Sequence, residues 1–143
     1  MADLTTNLAK FLLYLAQTDR ETITEVFPLV GADLHAAVVP AVTFPAAAII
    51  LRVVADITTV ATGACTLDVG YTAGSSVTTS DTLLDGIDVN AAIGVFDSMN
   101  AALDLGANAL AQKAASGKWI TVDEKTGDAT GLVGNLYVSY IVI

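Results

Sequence analysis

The sequence is poor in the residues that carry covalent and acid–base chemistry. It holds one cysteine, Cys65, and one histidine, His35. No intrachain disulfide can form, and the cysteine- and histidine-rich ligand sets of structural zinc sites are absent. We expect Cys65 to be a buried, inert thiol. Because His35 lies beside an apolar run, we expect a structural or surface role for it rather than a catalytic one.

Basic residues are scarce as well. Lys and Arg together number 6 against 15 Asp and Glu, which gives a net charge of −9. No Lys or Arg lies between Arg52 and Lys113, whereas seven aspartates do. Nucleic-acid binding draws its affinity from Lys and Arg, which replace the counterions of the phosphates. Direct binding to nucleic acid is therefore not expected.

Signals for secretion or membrane insertion are missing from the start of the chain. Met1 is followed by Ala2 and Asp3 rather than by basic residues. The apolar run at residues 11–16 is too short for a signal core, and it falls far short of the ~20 residues that cross a bilayer. We expect an intracellular site of synthesis and no membrane partner.

Apolar residues, in contrast, are abundant. They make up 54% of the 143 residues, while charged residues make up 15%, against a usual ~25%. A chain of this length fits one domain and buries roughly two thirds of its unfolded surface. The apolar surplus favours subunit contacts that bury what a single core cannot.

The N-terminal residues 1–22 carry one apolar helical stripe. Leu8, Phe11, Leu12 and Leu15 recur at spacings of three and four, which is typical of an amphipathic helix. This segment is predicted to be a helix or arm that packs on its own domain or reaches a neighbouring subunit. Residues 23–143 are predicted to form a single β domain.

Extended segments rich in β-branched residues predict strands through the rest of the chain. The first predicted strands are residues 22–31, with Pro28 at an edge or a bend, 47–60 and 64–72. The polar residues 72–81 predict a loop. The pair Asp85-Gly86 suggests a short hairpin. The Ala-rich residues 98–117 predict a long excursion with at most a helical turn or two. Residues 118–124 and 134–143, around a connection rich in Gly, Asp and Thr, predict a closing hairpin. Many short strands without βα alternation favour an antiparallel β-sandwich or jelly roll.

The last strand has two apolar faces. Leu136, Val138, Tyr140 and Val142 alternate with Tyr137, Ser139, Ile141 and Ile143. We expect the first set to complete the core and the second to meet a neighbouring subunit or the N-terminal helix, with a fully buried strand as the alternative. Trp119 is either a core anchor or an interface anchor.

An aspartate-rich stretch is the main candidate for ligand binding. Asp81, Asp85, Asp88 and Asn90 offer oxygen donors of the kind calcium prefers. Their spacing differs from that of a calcium loop, so solvated turn carboxylates are the preferred interpretation. Paired acids for glycoside hydrolysis also lack the usual aromatic platforms. We assign no catalytic, cofactor-binding or metal residue. A β-sandwich module that binds calcium or carbohydrate is the alternative hypothesis.

Three stretches, "FPAAAIILRVVADITTVATGACTLDVGYT", "DTLLDGIDVNAAIGVFDSMN" and "GKWITVDEKTGDATGLVGNLYVSYIVI", together resemble the head decoration, or cement, proteins of tailed bacteriophages. The resemblance spans about residues 44–143. It implies a β-sandwich or jelly-roll protein, usually trimeric, on the outer surface of the major capsid protein lattice, where it clamps the virion shell against internal pressure. No catalytic or metal residue comes with it. The predicted interface residues, taken from the apolar patterns above, are Leu8, Phe11, Leu12, Leu15, Trp119, Tyr137, Ile141 and Ile143.

Overall fold

The computed structural model describes residues 22–100, 105–106 and 112–143, and this part of the chain is mainly β. Its elements are β1 (Ile23–Val30), α1 (Gly31–Ala36), β2 (Val39–Thr43), β3 (Ala48–Thr59), β4 (Cys65–Thr72), β5 (Leu84–Asp88), β6 (Gly94–Asp97), β7 (Gln112–Ala114), β8 (Trp119–Gly127) and β9 (Val133–Val142). The helical stripe predicted for the N-terminus lies outside the described residues. Among the residues described, no helix is long and apolar enough to span a bilayer.

Two antiparallel sheets form a sandwich. The first sheet has the order β1-β9-β3-β6, with β7 also paired to β3, and the second has the order β2-β8-β4-β5. Every strand pair in the two sheets is antiparallel. The predicted antiparallel β-sandwich is therefore confirmed.

The core lies between the sheets and is built by alternation along each strand. On β9, Leu136, Val138 and Tyr140 are buried, as predicted. Phe44 is fully buried and meets the edge of the Tyr140 ring at a centroid distance of 5.0 Å. Its centroid also lies 6.3 Å from that of Tyr71 on the second sheet. Edge-to-face contacts of this kind add to the free energy of area burial, so Phe44 joins the two sheets.

The strands predicted at residues 22–31, 47–60 and 64–72 are present, with slightly shorter bounds, as β1, β3 and β4. Pro28 lies on β1 opposite Asn135, at the edge of the first sheet. An edge tolerates proline because the missing N–H faces no partner strand.

The predicted closing hairpin is wrong. β8 belongs to the second sheet and β9 to the first, so the chain between them crosses the sandwich. Ala129 and Leu132 in this connection are buried in the core. The backbone N–H of Gly31 also donates to the Leu132 carbonyl at 2.9 Å. These anchors hold the connection across the end of the sandwich instead of in a hairpin turn.

The predicted hairpin at Asp85-Gly86 is also wrong. Strand β5 runs through both residues and pairs with β4, while β6 belongs to the other sheet. Gly86 has a φ of +63°, and the register of β5 against β4 shifts between Leu67 and Val69. Glycine adopts this left-handed conformation without steric cost, so it serves a β-bulge rather than a turn.

Helix α1 was not foreseen from the sequence. Its Leu34 is buried, and a side chain at Gly31 would collide with the Ala129 carbonyl oxygen, 1.9 Å from the position of a Cβ atom. A single turn and a half of helix shows too little periodicity to be read from sequence. In the Ala-rich segment, described residues 112–114 form β7 on β3.

Candidate functional site

The outer face of the first sheet, the face turned away from the core, carries a row of apolar side chains. In the strand register Val26 of β1 lies opposite Tyr137 of β9, and Tyr137 lies opposite Val54 of β3. Directly opposed residues share one face of a sheet. Val26 is 55% exposed, while Tyr137 and Val54 are half-buried.

More apolar residues surround this row. Val30 and Val133 are paired on β1 and β9 and are 45% and 49% exposed, and Val95 of β6 is 59% exposed. We call Val26, Val30, Val54, Val95, Val133 and Tyr137 the valine–tyrosine face. Isolated exposed apolar residues are ordinary in soluble proteins, whereas a group of them on one sheet face marks an interaction surface.

Three charged residues lie among these apolar residues: Asp56, which is opposite Val95 and Asn135, and the pair Arg52 and Asp97. Arg52 of β3 forms a bidentate ion pair with Asp97 of β6, including an Nε to Oδ1 hydrogen bond of 3.0 Å. The Arg52 guanidinium lowers the pKa of Asp97, and the backbone N–H of Met99 also donates to that carboxylate at 2.9 Å. The ion pair neutralises the charge beside Val54, while Asp56 and Asn135 form a polar row next to the apolar one.

Trp119 lies on the other side of the sandwich. Its neighbours Ile120 and Val122 are buried, as is Thr121, whose side chain turns to the opposite side from theirs. Trp119 pairs with Thr43 and Thr72 on the outer side of the second sheet, under the Lys118 ammonium at 5.5 Å from the ring centroid. The structure therefore does not bring Trp119 and Tyr137 together, and one flat interface cannot contain both.

The remaining predicted interface residues are spread along β9 or lie outside the described residues. Ile141 is on the Tyr137 side of the strand but is only 5% exposed within one copy of the chain, and Ile143 is 37% exposed. Ser139, also on this side, shares a 3.0 Å hydrogen bond with Thr24. Leu8, Phe11, Leu12 and Leu15 fall in the part of the chain that is not described.

The outer face of the second sheet is covered by the chain itself. The segment predicted as a loop, residues 72–81, folds across it through hydroxyl and backbone contacts. Thr121 Oγ1 donates to the Thr78 carbonyl at 3.1 Å, and Thr79 Oγ1 donates to an Asp123 carboxylate oxygen at 3.0 Å. Lys118 Nζ donates to the Gly74 carbonyl at 2.7 Å. The two sheets thus differ, because one outer face is closed by polar contacts while the other presents the valine–tyrosine face.

The structure gives Cys65 no sign of reactivity. Cys65 is 3% exposed, and burial, with smaller contributions from nearby carboxylates, raises its pKa to about 11. A thiol of that pKa is protonated at neutral pH and is a poor nucleophile.

His35 sits at the surface between two acids. Its Nδ1 lies 3.0 Å from Glu124 Oε2 and 3.4 Å from Asp128 Oδ1. A hydrogen bond with Glu124 and the charge of Asp128 raise the pKa of His35. When protonated, His35 therefore forms an ion pair with these two acids.

The aspartates singled out from the sequence separate into two groups. Asp88 Oδ1 accepts hydrogen bonds from the backbone N–H groups of Asn90 and Ala91 at 3.0 and 3.1 Å, so it closes a turn. The Asn90 side chain donates to the Ala61 carbonyl at 2.8 Å. The side chains of Asp88 and Asn90 therefore hold the local backbone in place through hydrogen bonds.

Asp81 and Asp85 lie near the buried Asp68, with carboxylate oxygens of all three within 4.8 Å of one another. Lys125 is ion-paired with Asp85, and its Nζ is 3.7 Å from Asp68 Oδ1. Burial raises the pKa of Asp68, although the Gly86 N–H donates to it at 2.8 Å. The Lys125 ammonium already supplies positive charge where a calcium ion would have to bind.

The sequence pattern identified Tyr137 but not its partners Val26 and Val54, nor Val95 on the same face. The signal was available on β1 and β3, where apolar residues occur on the solvent side of the alternation. The order of the strands in the sheet could not be read from the sequence, since it depends on contacts between residues that are distant along the chain.

Comparison with known proteins identifies a similar fold but no matching family. No protein-family model matches the chain, and no curated protein matches it significantly. Among solved structures, the chain is similar to a chain of the acidic stable capsid structure of Helicobacter pylori bacteriophage KHP30. The TM-score is 0.57 and the identity 16%, over 86% of this chain and 93% of the other. At this identity the likeness is one of fold.

Proposed function

We propose that this protein is a structural virion protein, a decoration or cement protein that binds the outer surface of the major capsid protein lattice as a homotrimer and stabilises the shell. The observation that carries the proposal is the valine–tyrosine face, an exposed apolar surface on a sandwich whose fold resembles a chain of a phage capsid. The work of such a protein is mechanical, and no catalytic step enters it.

The valine–tyrosine face suits contact between copies of the chain. Fully burying a valine side chain contributes roughly 1.5–3 kcal/mol, so side chains that are about half exposed, such as Val26 and Val133, gain about 1 kcal/mol each on association. The row of Val26, Tyr137 and Val54 is apolar, and the Arg52–Asp97 ion pair and Asp56 lie beside it. An apolar centre with a polar rim is the usual anatomy of a protein interface.

Closed rotational symmetry would also limit the association that exposed sheet edges promote. β1 and β6 end the first sheet, and β2 and β5 end the second. Unpaired edges invite open-ended association unless they are covered. A closed trimer limits such association to three subunits.

Size and charge support a position on the outside of a shell. The matched fractions of the two chains, 86% and 93%, make this protein and the phage capsid chain similar in length. The net charge of −9 is unfavourable for contact with a packaged genome. Both features fit a small protein bound to the outer surface of the lattice.

The second hypothesis, a sandwich module that binds calcium or carbohydrate, gains little from the structure. The cluster of Asp68, Asp81 and Asp85 is the feature that favours it, and Lys125 neutralises part of that cluster. Melting temperatures of chelator-treated protein with and without added calcium separate the hypotheses. Calcium raises the melting temperature of a calcium module, whereas it leaves that of a cement protein unchanged.

Co-sedimentation with capsids tests the proposed function. Expanded, emptied shells of the virus that encodes the chain are incubated with purified full-length protein and pelleted. The protein is expected in the pellet at a saturable ratio, and light scattering of the unbound protein is expected to give the mass of a trimer. A monodisperse monomer that stays in the supernatant contradicts the proposal. A variant without residues 1–22 shows whether the N-terminal segment takes part in either step.

A further inference from the structure

We propose that His35, Glu124 and Asp128 form a binding site for a divalent transition metal, with zinc as the ion that fits their chemistry best. One nitrogen and two carboxylate oxygens of these residues lie within 4.8 Å of one another. The site is separate from the valine–tyrosine face, and the inference does not depend on the proposed function.

The distances from the imidazole nitrogen to the two carboxylate oxygens are close to those of a tetrahedral zinc site. Zinc binds imidazole nitrogen and carboxylate oxygen at about 2.0–2.2 Å, so two ligands of a tetrahedral ion are about 3.4 Å apart. His35 Nδ1 lies 3.0 Å from Glu124 Oε2 and 3.4 Å from Asp128 Oδ1. The three groups can enclose an ion without a large movement of the backbone.

Backbone hydrogen bonds hold both carboxylates in place. Glu124 Oε2 accepts from the N–H of Ala129 at 2.6 Å, and Asp128 Oδ1 accepts from the N–H of Thr130 at 2.8 Å. Such outer contacts orient metal ligands and reduce the entropy lost on binding. The Glu124 side chain is also largely buried, with 14% of its area exposed.

The donor set selects the class of ion. Calcium and magnesium prefer oxygen ligands, whereas an imidazole nitrogen beside carboxylates suits zinc and its neighbours in the first transition row. The His35 and Asp128 side chains are about half exposed, so the ion can enter from solvent and water can complete its shell. By contrast, Asp68 and Asp85 contact the Lys125 ammonium, which repels a cation.

Metal binding would cross-link three elements of the fold. His35 lies on α1, Glu124 on β8, and Asp128 at the start of the connection that crosses to β9. A ligand that binds the native state alone stabilises it by mass action. We therefore expect zinc to raise the melting temperature as well as to bind.

Calorimetric titration of the full-length protein with zinc chloride, after chelator treatment and removal, tests the site. One saturable zinc per chain is expected. His35→Gln is expected to weaken binding by about tenfold or more, on the scale of losses seen when a metal site loses a supporting group. Asp33→Asn is the matched control, because it changes an exposed side chain on the same helix outside the donor set and should bind zinc like the original protein.

Cobalt(II) absorption and calcium competition are two further tests of the zinc site. Cobalt(II) bound to the protein should show the visible absorption of a tetrahedral ion, and His35→Gln should lose it, while excess calcium should not displace zinc. A melt of each variant in chelator shows whether it is folded. Absence of zinc binding, or equal binding by His35→Gln, overturns the proposal and leaves a histidine–carboxylate ion pair only.

Discussion

Val26 and Tyr137 lie directly opposite each other in the β1–β9 ladder, with both side chains on the outer face of the first sheet. The two residues are 111 positions apart in the sequence, and β9 joins them to Val54 of β3 on its other side. This row is the centre of the valine–tyrosine face, and the proposed trimer depends on it.

Replacing Val26 with Asp should separate assembly from folding. Val26 is 55% exposed, so the cost to the free energy of unfolding should be about 1 kcal/mol, the span of strand propensities. A carboxylate buried between copies has no partner and disfavours association much more. Sedimentation velocity is expected to show loss of the trimer at concentrations where the original protein assembles.

Val26→Thr is the control for this change, because threonine keeps the β-branched shape and adds no charge. It should retain most of the assembly. Equal assembly by the Asp and Thr variants would show that this face is not between subunits.

The bulge at Gly86 predicts an unusual sensitivity to a small change. Gly86 has a φ of +63°, and the space around a Cβ atom there is open except for the Lys125 side chain at 3.6 Å. Gly86→Ala should therefore lower the free energy of unfolding by about 1–2 kcal/mol, through backbone conformation alone. Urea denaturation measures the difference.

Gly94→Ala is the comparison for Gly86→Ala. Gly94 has no positive φ, and no atom lies within 4 Å of a Cβ placed there. Its replacement should be neutral or slightly stabilising. Equal losses at the two positions would mean that β5 does not contain the bulge.

His35 should make the stability of the protein depend on pH. Its pKa is raised above 6.5 in the folded chain by Glu124 and Asp128. A raised pKa means that the stabilisation is fully present below the unfolded pKa and is lost as the pH rises through the folded value. In chelator, His35→Gln should therefore melt at a lower temperature than the original protein near pH 5.5 and at the same temperature near pH 9.

A difference between the two proteins that stays constant with pH would assign the effect of His35→Gln to packing instead of charge. Asp33→Asn again serves as the control, with no change in the shape of the profile expected.

The sequence predicts individual strands of this fold well. β3 and β9 are rich in β-branched and aromatic residues, and alternation along β9 correctly placed Leu136, Val138 and Tyr140 in the core. These signals are local, since each depends on neighbours along the chain.

Partnership between strands could not be predicted in the same way. A polar connection between two apolar strands is typical of a hairpin, yet β8 and β9 belong to different sheets because Ala129 and Leu132 bury in the core between them. Likewise, Asp85-Gly86 has the composition of a turn but forms a bulge against β4. In both cases contacts distant in sequence override the local preference.

The candidate sites, too, combine residues that local sequence patterns indicate with residues that only long-range contacts bring together. Tyr137 was predicted at an interface from its place on β9, while Val26 and Val54 join it through strand order alone. The donor set of His35, Glu124 and Asp128 was invisible in the sequence, because 89 residues separate the first two.

A reconstruction by electron cryo-microscopy of shells decorated with the full-length protein shows where its copies bind and which face they bury. We expect three copies around a threefold position on the outer surface, with Val26 and Tyr137 of each copy buried against its neighbour. Single copies on the lattice, or a trimer in which the valine–tyrosine face is turned to solvent, would contradict this expectation.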